Sequence, residues 1–385
     1  MRNTEGQCVL KEQTLRGPYA AFGTALENVL IIAGLLAAYM PWDGSSLLIA
    51  PALVVAWIHR EQLDLDPQAV KAVLWLAAWM LAFCLISDDV RRSAKGAYDM
   101  VRAALVFFPA LLLSLRLREG GGRELLLVIV AASLAAHFLF SRANGAGTFF
   151  GFHANPNNVA VALVAFASLW LASWPHRRAM RWLWAAVGVV ALVLLVLTNG
   201  RGAWLGVGCA VLAWTLFAPH LGMRARVLVS TLVVVGLVGL LLLANYKGFG
   251  ATHRLEIWSR LMAEAAQDAL WFGHGLNVVK EVTIDLGLNR MGVITAHNLF
   301  LEVFVSTGAI GSLWFLAAAS RLVWALSRQA YARNAIWWAG VMAIIAFVVM
   351  GMFDLKLASF RFIASMAMFL GLLYGQRLPA ATRAS

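Results

Sequence analysis

His297 is the residue of this chain best suited to take a proton from a hydroxyl near neutral pH. It stands in TAHNLFLEVFVSTGAIG, where an apolar block begins, and no acidic residue adjoins it. A neutral imidazole is a competent general base, and a helix N-terminus disfavours the imidazolium, which helps keep such a base unprotonated. On what the topology makes the same face lie cations: Arg91, Arg92, Lys95, Arg142, Arg201, Arg254, Arg260, Lys280, Arg290, Lys356 and Arg361. Arginine forks match phosphate oxygens two at a time, and cations at membrane depth commonly mark a substrate path. Headgroup contact and snorkelling are the competing reading of each. Arg201 stands apart from the others because Gly200 and Gly202 hem it in at the end of an uncharged block. Those glycines allow close backbone approach, so an anion could meet the start of the helix that follows.

Other chemistries are excluded by spacing. TNGRGAWLG (198–206) contains G-x-G-x-x-x-G, which is the wrong spacing for a dinucleotide fingerprint and joins two apolar blocks. No G-x-x-x-x-G-K-[ST] occurs, so nothing points to nucleotide hydrolysis. Asp64-Leu65-Asp66 has the form of a metal-holding D-x-D but sits in a short loop without partners, where a solvated charge cluster is the favoured reading. Asp88 and Asp89 are adjacent, a weak geometry for a shared metal, and the three cysteines (Cys8, Cys84, Cys209) offer neither a disulfide framework nor CxxC. The expectation is no metal and no cofactor. His59, His137, His153, His176, His220, His253 and His274 read as incidental.

These residues must be held by membrane-spanning helices. Hydrophobic residues make up 62% of the 385 and charged residues 13%, against roughly 45–50% and 25% in soluble proteins. So few charges cannot cover a soluble surface. The net charge of +12 has no basic arm or soluble domain to carry it, which argues against a nucleic-acid partner. Twelve apolar blocks can be marked, at about 19–40, 45–58, 70–87, 98–115, 125–140, 157–174, 182–198, 203–218, 227–244, 298–319, 335–353 and 358–374, most of them near the length that crosses a bilayer core of ~30 Å. The second, short and containing Pro51, is the weakest. Of the 31 Lys and Arg residues, 18 fall in segments on the side of the N-terminus, so the positive-inside rule puts both termini in the cytoplasm. The first block reads as a retained span rather than a cleaved signal. Trp174, Trp182, Trp204, Trp337 and Trp338, at block edges, suit an interfacial aromatic belt.

The expected fold is an all-α polytopic membrane protein of about 12 transmembrane helices, a single integral membrane domain over residues 1–385. One connection, 245–297, is too long for a plain turn and falls on the outer side. Within it RLEIWSRLMAEAAQD (254–268) places Leu255, Trp258, Leu261, Met262 and Ala265 at helical spacing, which predicts an amphipathic helix lying on the membrane or across the mouth of the bundle.

The motifs also carry a family resemblance. His297-Asn298, nine residues, then Gly308-Ala309-Ile310-Gly311 resembles the H-[NSQ]-x9-G-x-x-G signature of bacterial O-antigen ligases. NGRGAWLG around Arg201 resembles the S/N-x-R-G-A-W-L motif of the O-antigen ligase and polymerase superfamily, although Asn199-Gly200 stands where many relatives have Ser directly before the arginine. RLEIW from Arg254 followed by GHGLN (273–277) resembles that superfamily's R-x-x-x-W…G-x-G run in a large periplasmic loop, and GFHANPNN (151–158) its N-P-N element. The similarity covers roughly 150–320 and is strongest in the order and spacing of the four motifs together.

The resemblance implies a GT-C-like membrane glycosyltransferase of the bacterial inner membrane, with its active site on the periplasmic side. Such enzymes move O-antigen from undecaprenyl diphosphate (the donor) to a sugar hydroxyl of lipid A–core (the acceptor), with inversion and without metal or nucleotide. Carried across, His297 would deprotonate the acceptor hydroxyl, and Arg201 and Arg254 would bind the donor diphosphate. Arg91, Arg92, Arg142 and Lys356 would be further phosphate contacts, and Asn155 and Asn158 positioning groups. An O-antigen polymerase on the same carrier is the nearest rival, and a protein O-oligosaccharyltransferase is disfavoured by the short C-terminal tail. A transporter of the lipid-linked glycan would need polar or broken helices at the midplane of several spans, whereas the informative residues here gather at one face.

Overall fold

The computed structural model describes residues 18–37, 39, 45–118, 122–143, 156–198, 200–217, 222–246, 252–288, 296–353 and 359–378. Among them fifteen α-helices form and no strand: α1 (Pro18–Ala37), α2 (Ser45–Ile58), α3 (Pro67–Leu85), α4 (Val90–Ala104), α5 (Phe107–Arg118), α6 (Arg123–Ala143), α7 (Pro156–Ala172), α8 (Met180–Leu197), α9 (Arg201–Phe217), α10 (Met223–Tyr246), α11 (Thr252–Asp268), α12 (Val279–Asp285), α13 (Leu299–Ser327), α14 (Ala335–Gly351) and α15 (Phe360–Tyr374). Most of the described residues of each apolar block lie on helix, including those of the short one, which forms α2 around Pro51. Among the described residues six stretches are long and apolar enough to cross a membrane: Pro67–Leu85, Val90–Arg118, Arg123–Ser141, Met180–Leu197, Met223–Leu240 and Leu299–Ser327. Six shorter apolar helices accompany them. This is an all-helical integral membrane protein.

The fourth block departs from its expected start at 98. Residues 90–104 form one amphipathic helix, α4, that buries Ser93, Gly96, Met100 and Ala103 and is N-capped by Asp89, whose carboxylate accepts from the Arg92 amide at 2.9 Å. Arg91, Lys95 and Tyr98 point outward from it. The polar outer face breaks up the apolar run, so hydropathy alone places the boundary too late.

Most buried side chains join one core that runs through the bundle. A second, smaller core unites α11, α12 and the first turns of α13, through Ile257, Leu261, Ala265, Val279, Val282, Leu301 and Val305. The described part of the long connection is therefore a helical cap with its own interior. The buried face of α11 is Ile257, Leu261 and Ala265, with Trp258 partly covered; Leu255 and Met262, expected on that face, are exposed. The expected stripe was rotated because it admitted Leu255 and Met262 and omitted Ile257.

Small residues let the membrane helices approach closely, as expected where lipid supplies no hydrophobic drive between them. A Cβ at Gly206 of α9 would stand 2.5 Å from the Ala346 carbonyl oxygen of α14, a backbone atom that cannot swing aside. Gly206→Val is therefore expected to destabilise the fold by about 1–3 kcal/mol, seen as a lower midpoint of thermal unfolding in detergent.

The bundle has two chemically different ends. At one, Asp66 caps α3 by accepting from the Ala69 amide at 3.2 Å, Asp64 pairs with Arg377, Asn334 caps α14, and Glu27 pairs with Arg116 and lies 3.1 Å from His59. The D-x-D aspartates thus have structural partners. Trp204 is a correction to the aromatic belt: it is buried, and its indole N–H donates to the Leu195 carbonyl at 3.0 Å. Trp174 and Trp182 are exposed as expected. The cap closes the other end.

Candidate active site

His297 occupies the residue before a helix cap. Asn298 is the N-cap of α13, with extended backbone (φ −154°, ψ 115°), and its side-chain oxygen accepts from the amides of Phe300 and Leu301 at 3.0 and 3.1 Å. That satisfies two of the amides a helix start leaves open. His297 itself has φ 51°, a left-handed conformation that few non-glycine residues adopt, although histidine is among those enriched there. On its other side, the Ala296 carbonyl accepts the indole N–H of Trp258 at 2.9 Å. The imidazole is thus set between a cap and a cross-link to α11, half-buried, with Nδ1 shut off from solvent. Glu302, five residues on, was missed in the sequence: it lies in the first turn of α13 and is buried.

The motif glycines explain how this half-turn is fixed. α13 breaks at Gly308 (φ 63°, ψ −166°), a region of backbone space essentially restricted to glycine. The break frees backbone groups, and the loop after α11 bonds to them. The amides of Ala309 and Ile310 donate to the carbonyls of Leu270 and Trp271 at 2.8 and 3.2 Å, and the carbonyls of Val305 and Ser306 accept from the amides of His274 and Gly275 at 3.1 and 2.8 Å. The approach is so close that a Cβ on Gly308 would lie 2.4 Å from the Trp271 carbonyl carbon, and one on Gly273 2.3 Å from the Thr307 amide nitrogen. Gly311 serves a different contact: Phe83 packs where its Cβ would be, and the Trp79 indole donates to its carbonyl at 2.9 Å. Residues 299–307 therefore belong to the cap, and the rest of α13 to the bundle.

The loop is fastened in turn to the α3–α4 turn. Ser87 Oγ and the Asp88 amide donate to the His274 carbonyl at 3.2 and 3.3 Å, and buried Ser93 donates to the Leu276 carbonyl at 2.7 Å. His274 was read as incidental, but its Nδ1 is 3.3 Å from Asp88 and its Nε2 3.2 Å from Glu264 of α11. Its two flanking glycines were the sequence signal.

Arg201 is the first residue of α9, after a turn in which the Gly200 amide donates to Thr198 Oγ1 at 3.2 Å and the Trp204 amide to the Gly200 carbonyl at 3.0 Å. α9 packs along α14, with Gly206 against Ala346 and Met350, while Leu299 packs on Gly351 at the end of α14. The starts of α9 and α13, and with them Arg201 and His297, therefore flank the same end of α14. Arg254 lies one turn before Trp258 on α11, the helix whose indole holds Ala296. Asn158, half-buried in the first turn of α7, is two residues from Ala160, which packs on Gly200. Arg91 is exposed on α4, whereas Arg92 is engaged by Glu281 of α12 at 2.7 Å and by Asp89 at 3.9 Å. The Arg142 side chain, Asn155, Lys356 and Asn199 lie outside the described residues. Among those described, no three His, Cys, Asp or Glu side chains gather as a metal site.

One end of a membrane bundle thus carries a half-buried histidine, a buried carboxylate and arginines on two separate helix starts, arranged around a cap with its own core. The model of a family described as O-antigen ligase matches residues 186–316. No curated protein and no solved structure matches the chain.

Proposed function

We propose, from the match of residues 186–316 to the model of a family described as O-antigen ligase, that this chain is a glycosyl-transferring enzyme of that family and acts as the ligase. The donor is O-antigen on undecaprenyl diphosphate and the acceptor a sugar hydroxyl of lipid A–core, at the periplasmic face of the inner membrane. His297 takes the proton of the acceptor hydroxyl, whose oxygen attacks the anomeric carbon of the donor sugar. The bond from that carbon to the diphosphate oxygen breaks, and the configuration inverts. Arg201 and Arg254 meet the negative charge that grows on the departing diphosphate. The energy lies in the glycosyl–diphosphate bond, so neither nucleotide nor metal is needed.

The observation that carries this reading is the Trp258–Ala296 hydrogen bond, which couples the helix bearing Arg254 to the residue beside His297. Arg201 adds a second argument. A cation in the first turn of a helix is opposed by the helix dipole, a placement that favours binding an anion there, where the positive end of the dipole and the guanidinium act on it together.

The test is transfer by purified protein in detergent with chelator, given undecaprenyl-diphosphate glycan and lipid A–core. Glycosylated lipid A–core on a gel is the expected product, and longer carrier-linked glycans in its place would mark a polymerase. Arg201→Ala and Arg254→Ala are each expected to lower transfer about 100- to 1,000-fold, the usual loss for one group that stabilises developing charge. A wild-type rate in either variant would remove that arginine from the diphosphate site.

A further inference from the structure

We propose that His274 is a positioning residue for the transfer reaction: its ring bridges α11 to the α3–α4 turn and so sets where the Arg254 guanidinium stands. The inference rests on the reading of Arg254 as a donor contact. The side chains facing the ring are Asp88, from the turn, and Glu264, from α11, at 3.3 and 3.2 Å. The ring is largely enclosed, and Glu264 is half-buried beside it while Asp88 is open to solvent. Two carboxylates from separate elements repel one another, and a ring set between them offsets that repulsion as the imidazolium, the form that carries a proton on each nitrogen. Its backbone is fixed independently, with its amide on the Val305 carbonyl and its carbonyl on the Ser87 hydroxyl and Asp88 amide. His274 is therefore a fixed post, and Glu264 is what it holds.

α11 has two polar contacts along its length, the hydrogen bond of Trp258 to Ala296 and the charge-dependent approach of Glu264 to the His274 ring. Arg254 lies four residues to one side of Trp258 and Glu264 six residues to the other, about 6 and 9 Å along the axis. With Glu264 released, the helix can pivot on Trp258, and a shift of about 1 Å at the Glu264 end becomes roughly two-thirds of that at Arg254 in the opposite sense. Misplacement on this scale is enough to cost a large factor in rate.

The experiment combines transfer kinetics with amide hydrogen exchange on the purified full-length protein. Wild type, His274→Ala, Arg254→Lys and the double variant are compared for KM of the lipid-linked donor and for kcat. His274→Ala is expected to lower kcat/KM about ten-fold or more in the wild-type background and much less beside Arg254→Lys, the non-additivity expected when one residue acts through the other. Amides of α11 should exchange faster in His274→Ala while those of α7 and α14 do not change. Equal losses in both backgrounds, or unchanged exchange in α11, would overturn the proposal. A wild-type rate in Arg254→Lys and Arg254→Ala would sink the donor-contact reading instead, and the exchange data alone would then decide whether His274 fixes α11. Should His274→Ala fail to fold, Glu264→Gln removes the charge of the other partner in the same contact and is read in the same way.

Discussion

His297→Ala is expected to lower glycan transfer about 100- to 10,000-fold, the range lost when a positioned general base is removed, while the protein still folds and still retains lipid-linked donor. Folding should survive because the helix start does not depend on the imidazole. Asn298 supplies the cap and Trp258 holds Ala296. Alanine does add a cost at φ 51°, so a second variant is needed to separate backbone from base. His297→Asn serves, since asparagine also tolerates the left-handed region but cannot accept a proton at neutral pH. Both variants should lose transfer to a similar degree, with near-wild-type unfolding midpoints. Activity retained in His297→Asn would mean that the position matters for its turn and that another group takes the proton.

Much of this arrangement was legible because it is local. Nine residues between His297-Asn298 and Gly308 are two and a half helical turns, so the signature spells out a capped half-helix ended by a residue that can take positive φ. The lone Arg201 between glycines likewise announced a helix start. What sequence could not give is pairing across the chain. Asp88 and Glu264 meet at His274 from positions 176 residues apart, and nothing in the spacing of either points to the other. Burial was equally hidden: Glu302 reads as an ordinary first-turn acid but is buried. α4 was misplaced for a third reason, because the charged residues of its outer face, Arg91 and Lys95 among them, interrupt the apolar run that hydropathy counts. The GHGLN run was visible as a motif, while its physical purpose, supplying backbone partners to a broken helix, required the two chains of atoms to be seen side by side.

That purpose makes Gly308 a position where a single methyl group should do great damage. Alanine there must hold φ 63° and ψ −166°, a conformation that costs a non-glycine residue about 1–3 kcal/mol. Its Cβ would also press into the backbone at Trp271 and Phe272, 2.4–2.5 Å away, and overpacking adds a cost of about 1–3 kcal/mol. The cheapest relief is for residues 270–275 to leave the break, which gives up the four backbone hydrogen bonds that pair them with residues 305–310. The cap would then lose its register with the bundle, and His297 and Arg254, both on the cap side of the break, would move relative to Arg201 on the bundle side. Gly308→Ala is thus expected to abolish transfer although no reacting group is changed. Amide exchange at Ala309 and Ile310 should rise sharply, with the core of α14 still protected. Gly311→Ala is the informative comparison, because its Cβ would meet the Phe83 and Thr307 side chains rather than the backbone of the loop. It should lower stability while leaving the loop's amides protected. Wild-type exchange at Ala309 and Ile310 in Gly308→Ala would show that the loop does not depend on the break for its seat.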